Sequence, residues 1–265
     1  MATTLSSSPS SSPPPLSPRT RKRLSKKLSW ALRHGLDKLR LTPRPDGYVA
    51  LSSLLRVYRV PGLDVRAVRE IVASCPKRRF ALLTESNGDD DDVETLYIRA
   101  NQGHSSGRAS IDPSKLLTPI LDPDDAPPIC VHGTTRAAWR AIRTSGGLSP
   151  MTRDHIHFAT GLPSSKESGV ISGARSSSEV FVYVDVAAAV RAGVPFYRSA
   201  NGVILTPGIK IQIEPSEAVA ASSSEVADAR KRGDRRLPFR FFEKVVARDG
   251  VVLWSRKEEE AADRA

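Results

Sequence analysis

One polar stretch divides this chain and limits what it can fold into. Residues 104–127 are rich in Ser, Asp and Pro, a composition typical of a linker between two folded parts. Before this stretch the apolar residues recur mainly at helical spacing, and after it short β-prone runs dominate. A chain of 265 residues can bury one sizeable core or two small ones. We therefore expect an α+β protein with two domains.

The first part opens with a predicted amphipathic helix. Apolar residues recur at every fourth position from Leu24 to Leu32, and Gly35 ends the pattern. Arg33 and His34 therefore lie at the C-terminal end of this helix.

Two more helices and a hairpin are predicted before the linker. Ser52 or Ser53 is expected to cap the second helix, and Asp64 the third. The runs RFALLTE and VETLYIRA predict two strands joined by a polar tip. Helices followed by a hairpin resemble a winged helix, a fold suited to contact with RNA or DNA.

The second part is predicted to contain a dominant sheet. EVFVYVDV (179–186) predicts a buried strand that meets a helix at Asp185, and GVIL (202–205) and IKIQI (209–213) predict further strands. A last hairpin turns at Asp249 and Gly250. The whole chain then divides as follows: a disordered tail at 1–18, a first domain at 19–103, the linker at 104–127, a second domain at 128–255 with a flexible insertion at 216–236, and a C-terminal tail at 256–265.

Composition narrows the class of protein and its partners. The formal net charge of +11 attracts polyanions such as RNA or an acidic membrane surface. No apolar run is long enough for a membrane helix and no pattern marks a secretory signal, so we expect a soluble protein inside the cell, in the nucleus or cytoplasm. We also expect a monomer. No Asp or Glu precedes Asp37, which leaves an organelle transit peptide open as an alternative. The two cysteines, Cys75 and Cys130, have no metal-ligand spacing, and we expect no metal.

Five short motifs occur in a distinctive order. They are LSKKLSWALRHG (24–35), KRRF (77–80) with YIRANQGHS (97–105), CVHGT (130–134), HIHFATG (155–161), and SGARSSSEVFVYVDV (172–186) with FYRSANGVILTPG (196–208). Each is weak alone, but in order and spacing they resemble the RNA 2'-phosphotransferase family. The resemblance implies a winged-helix-like first domain and an ADP-ribosyltransferase-like second domain with two mostly antiparallel sheets. Consistent with that fold, the chain has no GxGxxG nucleotide loop.

The resemblance also implies a reaction and its catalytic residues. Members of the family transfer the splice-junction 2'-phosphate of ligated tRNA to NAD+, and they release nicotinamide and ADP-ribose 1'',2''-cyclic phosphate. The family's catalytic set falls on Arg33, His34, Arg79 and Arg175. Three arginines suit this chemistry, because a terminal phosphate carries about −1.5 to −2 charge and guanidinium groups bind its oxygens in pairs. Ala174 stands where the family commonly has a methionine.

Further site residues follow from the same resemblance. Those expected to bind NAD+ are His132, Gly133, Thr134, His157, Ser172, Gly173, Ser199, Asn201 and Gly202. Those expected to bind RNA or its phosphates are Lys27, Arg99, Gln102 and His104. Two other functions stay open: an ADP-ribosyltransferase or NADase that acts on nucleic acid or protein, and a non-catalytic RNA-binding protein.

Overall fold

The protein has a mixed α/β fold in two halves. The computed structural model describes residues 14–86, 94–105, 111–162, 174, 177–210 and 235–262. The first half contains helices α1 (Pro18–Trp30), α2 (Leu51–Val57) and α3 (Val65–Ala73), a π-helical turn at Ala31–Gly35, and strands β1 (Val49–Ala50), β2 (Phe80–Ser86) and β3 (Glu94–Ala100). The three strands form an antiparallel sheet in the order β1-β3-β2.

Helix α1 begins earlier than the periodicity predicts. The Ser17 hydroxyl accepts a hydrogen bond from the backbone N–H of Thr20, and Pro18 occupies the first turn, where its missing N–H costs nothing. The backbone N–H of Leu16 also contacts the carboxylate of Glu70 on α3. Residues 14–18, expected in a disordered tail, thus lead into and begin helix α1 of the first half, and residues 1–13 lie outside the described residues. The predicted apolar stripe is confirmed, because its three leucines are buried.

The remaining local predictions for the first half have mixed outcomes. Asp64 caps α3, as predicted, by accepting from the backbone N–H of Ala67. The prediction for α2 is wrong: Ser52 and Ser53 lie inside the helix, whose N-cap is Ala50 without a side-chain hydrogen bond. The hairpin of β2 and β3 is confirmed, and its predicted acidic tip lies outside the described residues.

The second half consists largely of antiparallel strands. Its helices are α4 (Pro113–Leu116), α5 (Arg136–Thr144), α6 (Val186–Arg191) and α7 (Arg256–Ala262). Its strands are β4 (Leu117–Ile120), β5 (Val131–Thr134), β6 (Gly147–Leu148), β7 (Ile156–Phe158), β8 (Val180–Val184), β9 (Phe196–Ser199), β10 (Ile204–Thr206), β11 (Ile209–Lys210), β12 (Arg235–Pro238), β13 (Phe242–Ala247) and β14 (Val252–Ser255). They form sheets β4-β9-β10-β7, β11-β12-β6 and β14-β13-β8-β5, three in the described residues where two were predicted.

Three segments differ from the predicted division of the chain. Strand β4, inside the expected linker, pairs with β9 along its whole length and so belongs to the second half. The expected C-terminal tail contains α7, whose Arg256 donates to the carbonyl of Phe242 and lies 3.6 Å from a carboxylate oxygen of Asp185. The insertion expected at 216–236 ends in β12, and its residues 216–234 lie outside the described residues.

Each half has its own hydrophobic core. In the first half, leucines of α1 pack against α3 and the apolar face of the hairpin. In the second half, β8 and β13 pack against Phe196 and Trp139. Within the described part of the chain, no helix is long and apolar enough to cross a membrane.

Candidate active site

A cavity of about 610 Å³ lies between the two halves. Its lining residues from the first half are Arg33, Lys77, Arg79 and Gln102. Those from the second half include His132, Gly133, Thr134, Arg153, His155, His157 and Ser178. The described lining holds four cationic side chains and no carboxylate. The cavity therefore offers a net positive surface to a bound molecule.

Arg33 is the most unusual group in this cavity. It lies in the π-helical turn after α1, and its Nε and Nη2 atoms are buried without a hydrogen-bond partner among the described residues. Burial, and then the positive charges of Arg79 and Arg153, lower the pKa of Arg33 to about 10. A buried cation without an acceptor is costly, so this guanidinium is poised for an anion.

The guanidinium of Arg33 lies closely against the backbone that follows β3. A Cβ atom on Gly103 would stand 3.5 Å from the guanidinium carbon, and Gly103 also has a φ of +86°. The carbonyl of Arg33 accepts from the backbone N–H of Ser105. The turn after β3 thus contacts both the side chain and the backbone of Arg33 and holds its guanidinium in the cavity.

Arg79 and Lys77 reach the cavity from the loop between α3 and β2. Arg79 donates from Nη1 to the sulfur of Cys75 at 3.4 Å. Arg153, which precedes β7, brings a further guanidinium from the second half. Its charge acts on both Arg33 and His157, so it lies close to each of them. The site therefore collects cations from both halves of the chain.

His34 lies beside the cavity, outside its lining. Its side chain is exposed, and its Nδ1 is 2.7 Å from the hydroxyl oxygen of Ser105. Ser105 also forms an isolated β-bridge with Arg153, which does line the cavity. His34 is thus held at the edge of the cationic site rather than within it.

His157 connects the two walls of the cavity. Its Nδ1 lies 2.9 Å from the carbonyl oxygen of His155, and its Nε2 lies 2.9 Å from the Oε1 position of Gln102. Burial, followed by the charge of Arg153, lowers the pKa of His157 to about 3, so the ring is neutral at physiological pH. A neutral ring has one N–H, which Nδ1 donates to the carbonyl. Nε2 must then accept, which requires the Gln102 amide to present its NH2 group there.

The strand β5 forms another part of the wall. The carbonyl of His157 accepts from Nδ1 of His132, since a carbonyl cannot donate. A Cβ on Gly133 would lie 2.5 Å from the hydroxyl of Ser178 and 2.8 Å from Cα of Ala174. Gly133 therefore allows the segment around Ala174 and Ser178 to approach β5. Gly133 also lines the cavity, and the contact with NAD+ that the resemblance implies for it stays a prediction.

Three residues expected to bind NAD+ do not line the cavity. Ser199, Asn201 and Gly202 form the turn between β9 and β10, and Gly202 has a φ of +81°. The Ser199 hydroxyl donates to Oδ1 of Asn201 at 2.7 Å, and the Asn201 amide donates to the carbonyl of Lys77 at 2.9 Å. The structure thus places Ser199 and Asn201 inside the protein, where they contact other protein groups.

The residues predicted to bind RNA or its phosphates do not lie together. Gln102 lines the cavity, whereas His104 is buried beside it and Lys27 is exposed on α1. Arg99 is held away from the cavity, because it donates to the carbonyl of Asp46 and stacks on the ring of Tyr48. Three predicted residues lie outside the described residues: Arg175, Ser172 and Gly173.

Sequence reasoning missed Arg153, Lys77 and Ser178 as site residues. Arg153 stands two residues before the HIHFATG motif, and Lys77 opens the KRRF motif, so each was adjacent to a recognised signal. Ser178 lies inside the SGARSSSEVFVYVDV motif, but nothing in that motif singles it out, because its place depends on the close approach to Gly133. Among the described residues, no group of three or more His, Cys, Asp or Glu side chains could hold a metal ion.

Comparison with known proteins gives consistent matches. Residues 19–208 match the family described as "RNA 2'-phosphotransferase, Tpt1 / KptA family". The human protein named tRNA 2'-phosphotransferase 1 is 45% identical over 185 residues, which cover 70% of this chain and 68% of the human protein. The Danio rerio protein of the same name is 44% identical over 70% of this chain and 78% of its own length. The Saccharomyces cerevisiae tRNA 2'-phosphotransferase is 37% identical over 72% of this chain and 80% of its own length.

Proposed function

The chain belongs to the RNA 2'-phosphotransferase family, and on that premise we propose that it removes the splice-junction 2'-phosphate from tRNA by transfer to NAD+. The products are mature tRNA, nicotinamide and ADP-ribose 1'',2''-cyclic phosphate. The match spans both walls of the cavity, from α1 to Gly208, which supports one shared site.

The proposal assigns a task to each half. The three helices and the hairpin of the first half act as a winged-helix-like domain that binds RNA. The second half, with its antiparallel sheets, acts as an ADP-ribosyltransferase-like domain that binds NAD+. The position of the cavity between the halves supports this division, because the reaction must bring the two substrates together.

The single observation that carries the proposal is the guanidinium of Arg33, whose Nε and Nη2 are buried without a hydrogen-bond partner among the described residues, in a cavity whose described lining has no carboxylate. A terminal 2'-phosphate carries about −1.5 to −2 charge and has three acceptor oxygens. Arg33, Arg79 and Arg153 could donate to it from different directions. Such an anion would accept hydrogen bonds from Nε and Nη2 of Arg33, which have no partner among the described residues.

The second wall suits a dinucleotide. NAD+ supplies an electrophilic ribose carbon with nicotinamide as its leaving group. The side chains of Thr134 and His132 are polar parts of the lining and can contact ribose hydroxyls or the nicotinamide amide. The ring of His157 has both nitrogens bonded within the protein, so it can only pack against the nucleotide. Because Nδ1 of His132 is committed to the carbonyl of His157, the orientation of that ring is fixed before a substrate arrives.

The chain's own residues then have two tasks. The reaction consists of two displacements. In the first, an oxygen of the RNA 2'-phosphate attacks the ribose carbon of NAD+ and nicotinamide leaves. Because that oxygen is already an anion, the arginines need only orient it. In the second displacement a ribose hydroxyl attacks phosphorus and negative charge increases there, which the same arginines stabilise. For His34, at the edge of the site, we propose that it orients the phosphate or protonates the departing RNA 2'-oxygen. Arg175 is proposed as a further phosphate ligand on the family resemblance alone.

One experiment separates this function from the alternatives. The purified chain is incubated with internally 2'-phosphorylated RNA and NAD+ in the presence of EDTA. We expect loss of the RNA phosphate and release of one nicotinamide for each phosphate removed. Nicotinamide release without phosphate loss would indicate an ADP-ribosyltransferase or NADase, and binding without turnover would indicate an RNA-binding protein. Loss of activity in EDTA with a folded chain would contradict a metal-free reaction.

A further inference from the structure

The loop that precedes β2 delivers two cations to the cavity. Lys77 and Arg79 line it, whereas Arg78 between them is exposed and has a φ of +37°. A residue other than glycine rarely adopts this left-handed backbone, so the loop needs external support to keep its shape.

Two buried asparagines supply that support, one from each half of the protein. Asn101, after β3, donates from its side-chain amide to the carbonyl of Arg78 at 2.7 Å, and its backbone N–H donates to the carbonyl of Arg79 at 2.9 Å. Asn201, in the turn between β9 and β10, donates from its side-chain amide to the carbonyl of Lys77 at 2.9 Å. Their exposed fractions are 4% and 0%. All three consecutive carbonyls of the loop are therefore held.

The amide of Asn201 is oriented by its own turn. The Ser199 hydroxyl donates to Oδ1 of Asn201, and the backbone N–H of Val203 donates to the Ser199 oxygen at 3.0 Å. Because Oδ1 is occupied as an acceptor, the NH2 group of Asn201 must face Lys77. The contact thus reaches across the interface between the halves with a fixed direction.

We infer that Asn201 is a positioning residue for the cationic site, acting through the backbone of Lys77 and not through contact with NAD+. The inference rests on the proposed function. Asn201 links the half proposed to bind NAD+ to the loop that carries Lys77 and Arg79. Removing the link should let the loop relax from its left-handed backbone, so that Arg79 no longer meets the phosphate at the required distance.

The test is a comparison of kinetic constants. Asn201→Asp keeps an oxygen for the Ser199 hydroxyl but cannot donate to the Lys77 carbonyl. We expect kcat to fall about 10- to 100-fold, the size of effect that a small misplacement of a catalytic group produces. The KM for NAD+ should stay within about twofold of wild type. Equilibrium binding should also lose part of its preference for 2'-phosphorylated RNA over the same RNA without the phosphate.

Two further variants make the comparison decisive. Asn101→Asp removes a donor to the same loop from the other half, and we expect the same pattern of constants. Ser199→Ala leaves Asn201 in place and only loosens its orientation, so the changes should be smaller. If Asn201→Asp does not fold, the single variants Ser199→Ala and Asn101→Asp are compared with wild type by the same kinetic constants and the same RNA binding.

Two results would contradict the role inferred for Asn201. A raised KM for NAD+ with unchanged RNA binding would overturn the inference and return Asn201 to the NAD+ site, as would a folded variant with wild-type constants. Failure of the proposed function is recognised separately, since the wild-type chain would then not remove the phosphate. In that case the binding preference for 2'-phosphorylated RNA still tests whether Asn201 positions the loop.

Discussion

Arg79 donates a hydrogen bond from Nη1 to the thiol sulfur of Cys75 at 3.4 Å, so one of the protein's two cysteines contacts an arginine of the cavity. The other, Cys130, is fully buried, and burial raises the pKa of its thiol well above the usual value. Because the thiolate is the reactive form, a thiol reagent should distinguish the two.

We therefore predict that iodoacetamide modifies Cys75 and lowers 2'-phosphate transfer by about tenfold or more, because the added group displaces Arg79. Mass spectrometry of the two cysteine peptides, followed in parallel with activity, checks this. A Cys75→Ala variant should resist inactivation by the reagent. Full modification of Cys75 with unchanged activity would contradict the proposed role of Arg79 in binding the phosphate.

Arg33→Met should separate stability from activity. The substitution removes a desolvated cation whose Nε and Nη2 lack partners among the described residues, so we expect the free energy of unfolding to rise by about 1 kcal/mol. The rate of phosphate transfer should fall about 10²- to 10³-fold. Urea unfolding and a turnover assay measure the two effects. Arg140→Met, at an exposed position on α5, is the matched control and should change neither greatly.

Arg79→Ala and His34→Ala should uncouple the two displacements. The second displacement concentrates negative charge at phosphorus, so it depends more on these groups than the first. We expect at least one of the variants to accumulate RNA that carries ADP-ribose on its 2'-phosphate, visible as a slower-migrating labelled band that requires NAD+. If both folded variants retain wild-type rates, the phosphate site has been misplaced.

The pH dependence of stability should reflect two buried histidines. Burial is the main cause that lowers the pKa of His157 to about 3, and burial with the charge of Arg235 lowers that of His155 to about 4. Below about pH 6.5 these two histidines bind protons in the unfolded chain but not in the folded chain. The free energy of unfolding must therefore fall as the pH drops from about 6.5 toward about 4. Each histidine contributes a slope of about 1.4 kcal/mol per pH unit.

In a His157→Gln variant, the free energy of unfolding should therefore depend less steeply on pH, with a slope smaller by about 1.4 kcal/mol per pH unit in the acidic range. Urea unfolding between about pH 4.5 and 8 measures this slope. Above pH 7.5 the difference between variant and wild type should be constant. An unchanged slope in the acidic range would mean that His157 is protonated in the folded protein.

Gly133→Ala should act through the segment packed against β5. The new Cβ would stand 2.5 Å from the Ser178 hydroxyl and 2.8 Å from Cα of Ala174, too close for either to remain in place. We expect a loss of about 1–3 kcal/mol in the free energy of unfolding. Adding Ser178→Ala should recover only part of it, because the backbone contact remains. Wild-type stability of Gly133→Ala would show that this segment does not pack there.

The sequence by itself determined the features that depend on neighbouring residues. The apolar spacing of α1, the Asp64 cap and the β2–β3 hairpin follow from interactions within a few residues, and they are present as predicted. The ordered motifs also identified the family and pointed to Arg33 and Arg79, which the structure brings to one cavity. The predicted caps of α2 failed because packing, not capping, sets the start of that helix.

Only the tertiary structure decided which side chains from distant segments of the chain contact each other. Asn201 contacts a carbonyl 124 residues away, Gly133 faces Ala174 and Ser178, and Arg99 stacks on Tyr48 instead of joining the cavity. No local pattern encodes these contacts, because each joins segments that are distant in the sequence and meet only in the folded chain. Burial without a hydrogen-bond partner is likewise a property of the packed state. For this reason the buried Nε and Nη2 atoms of Arg33, which have no partner among the described residues, become apparent only in the structure.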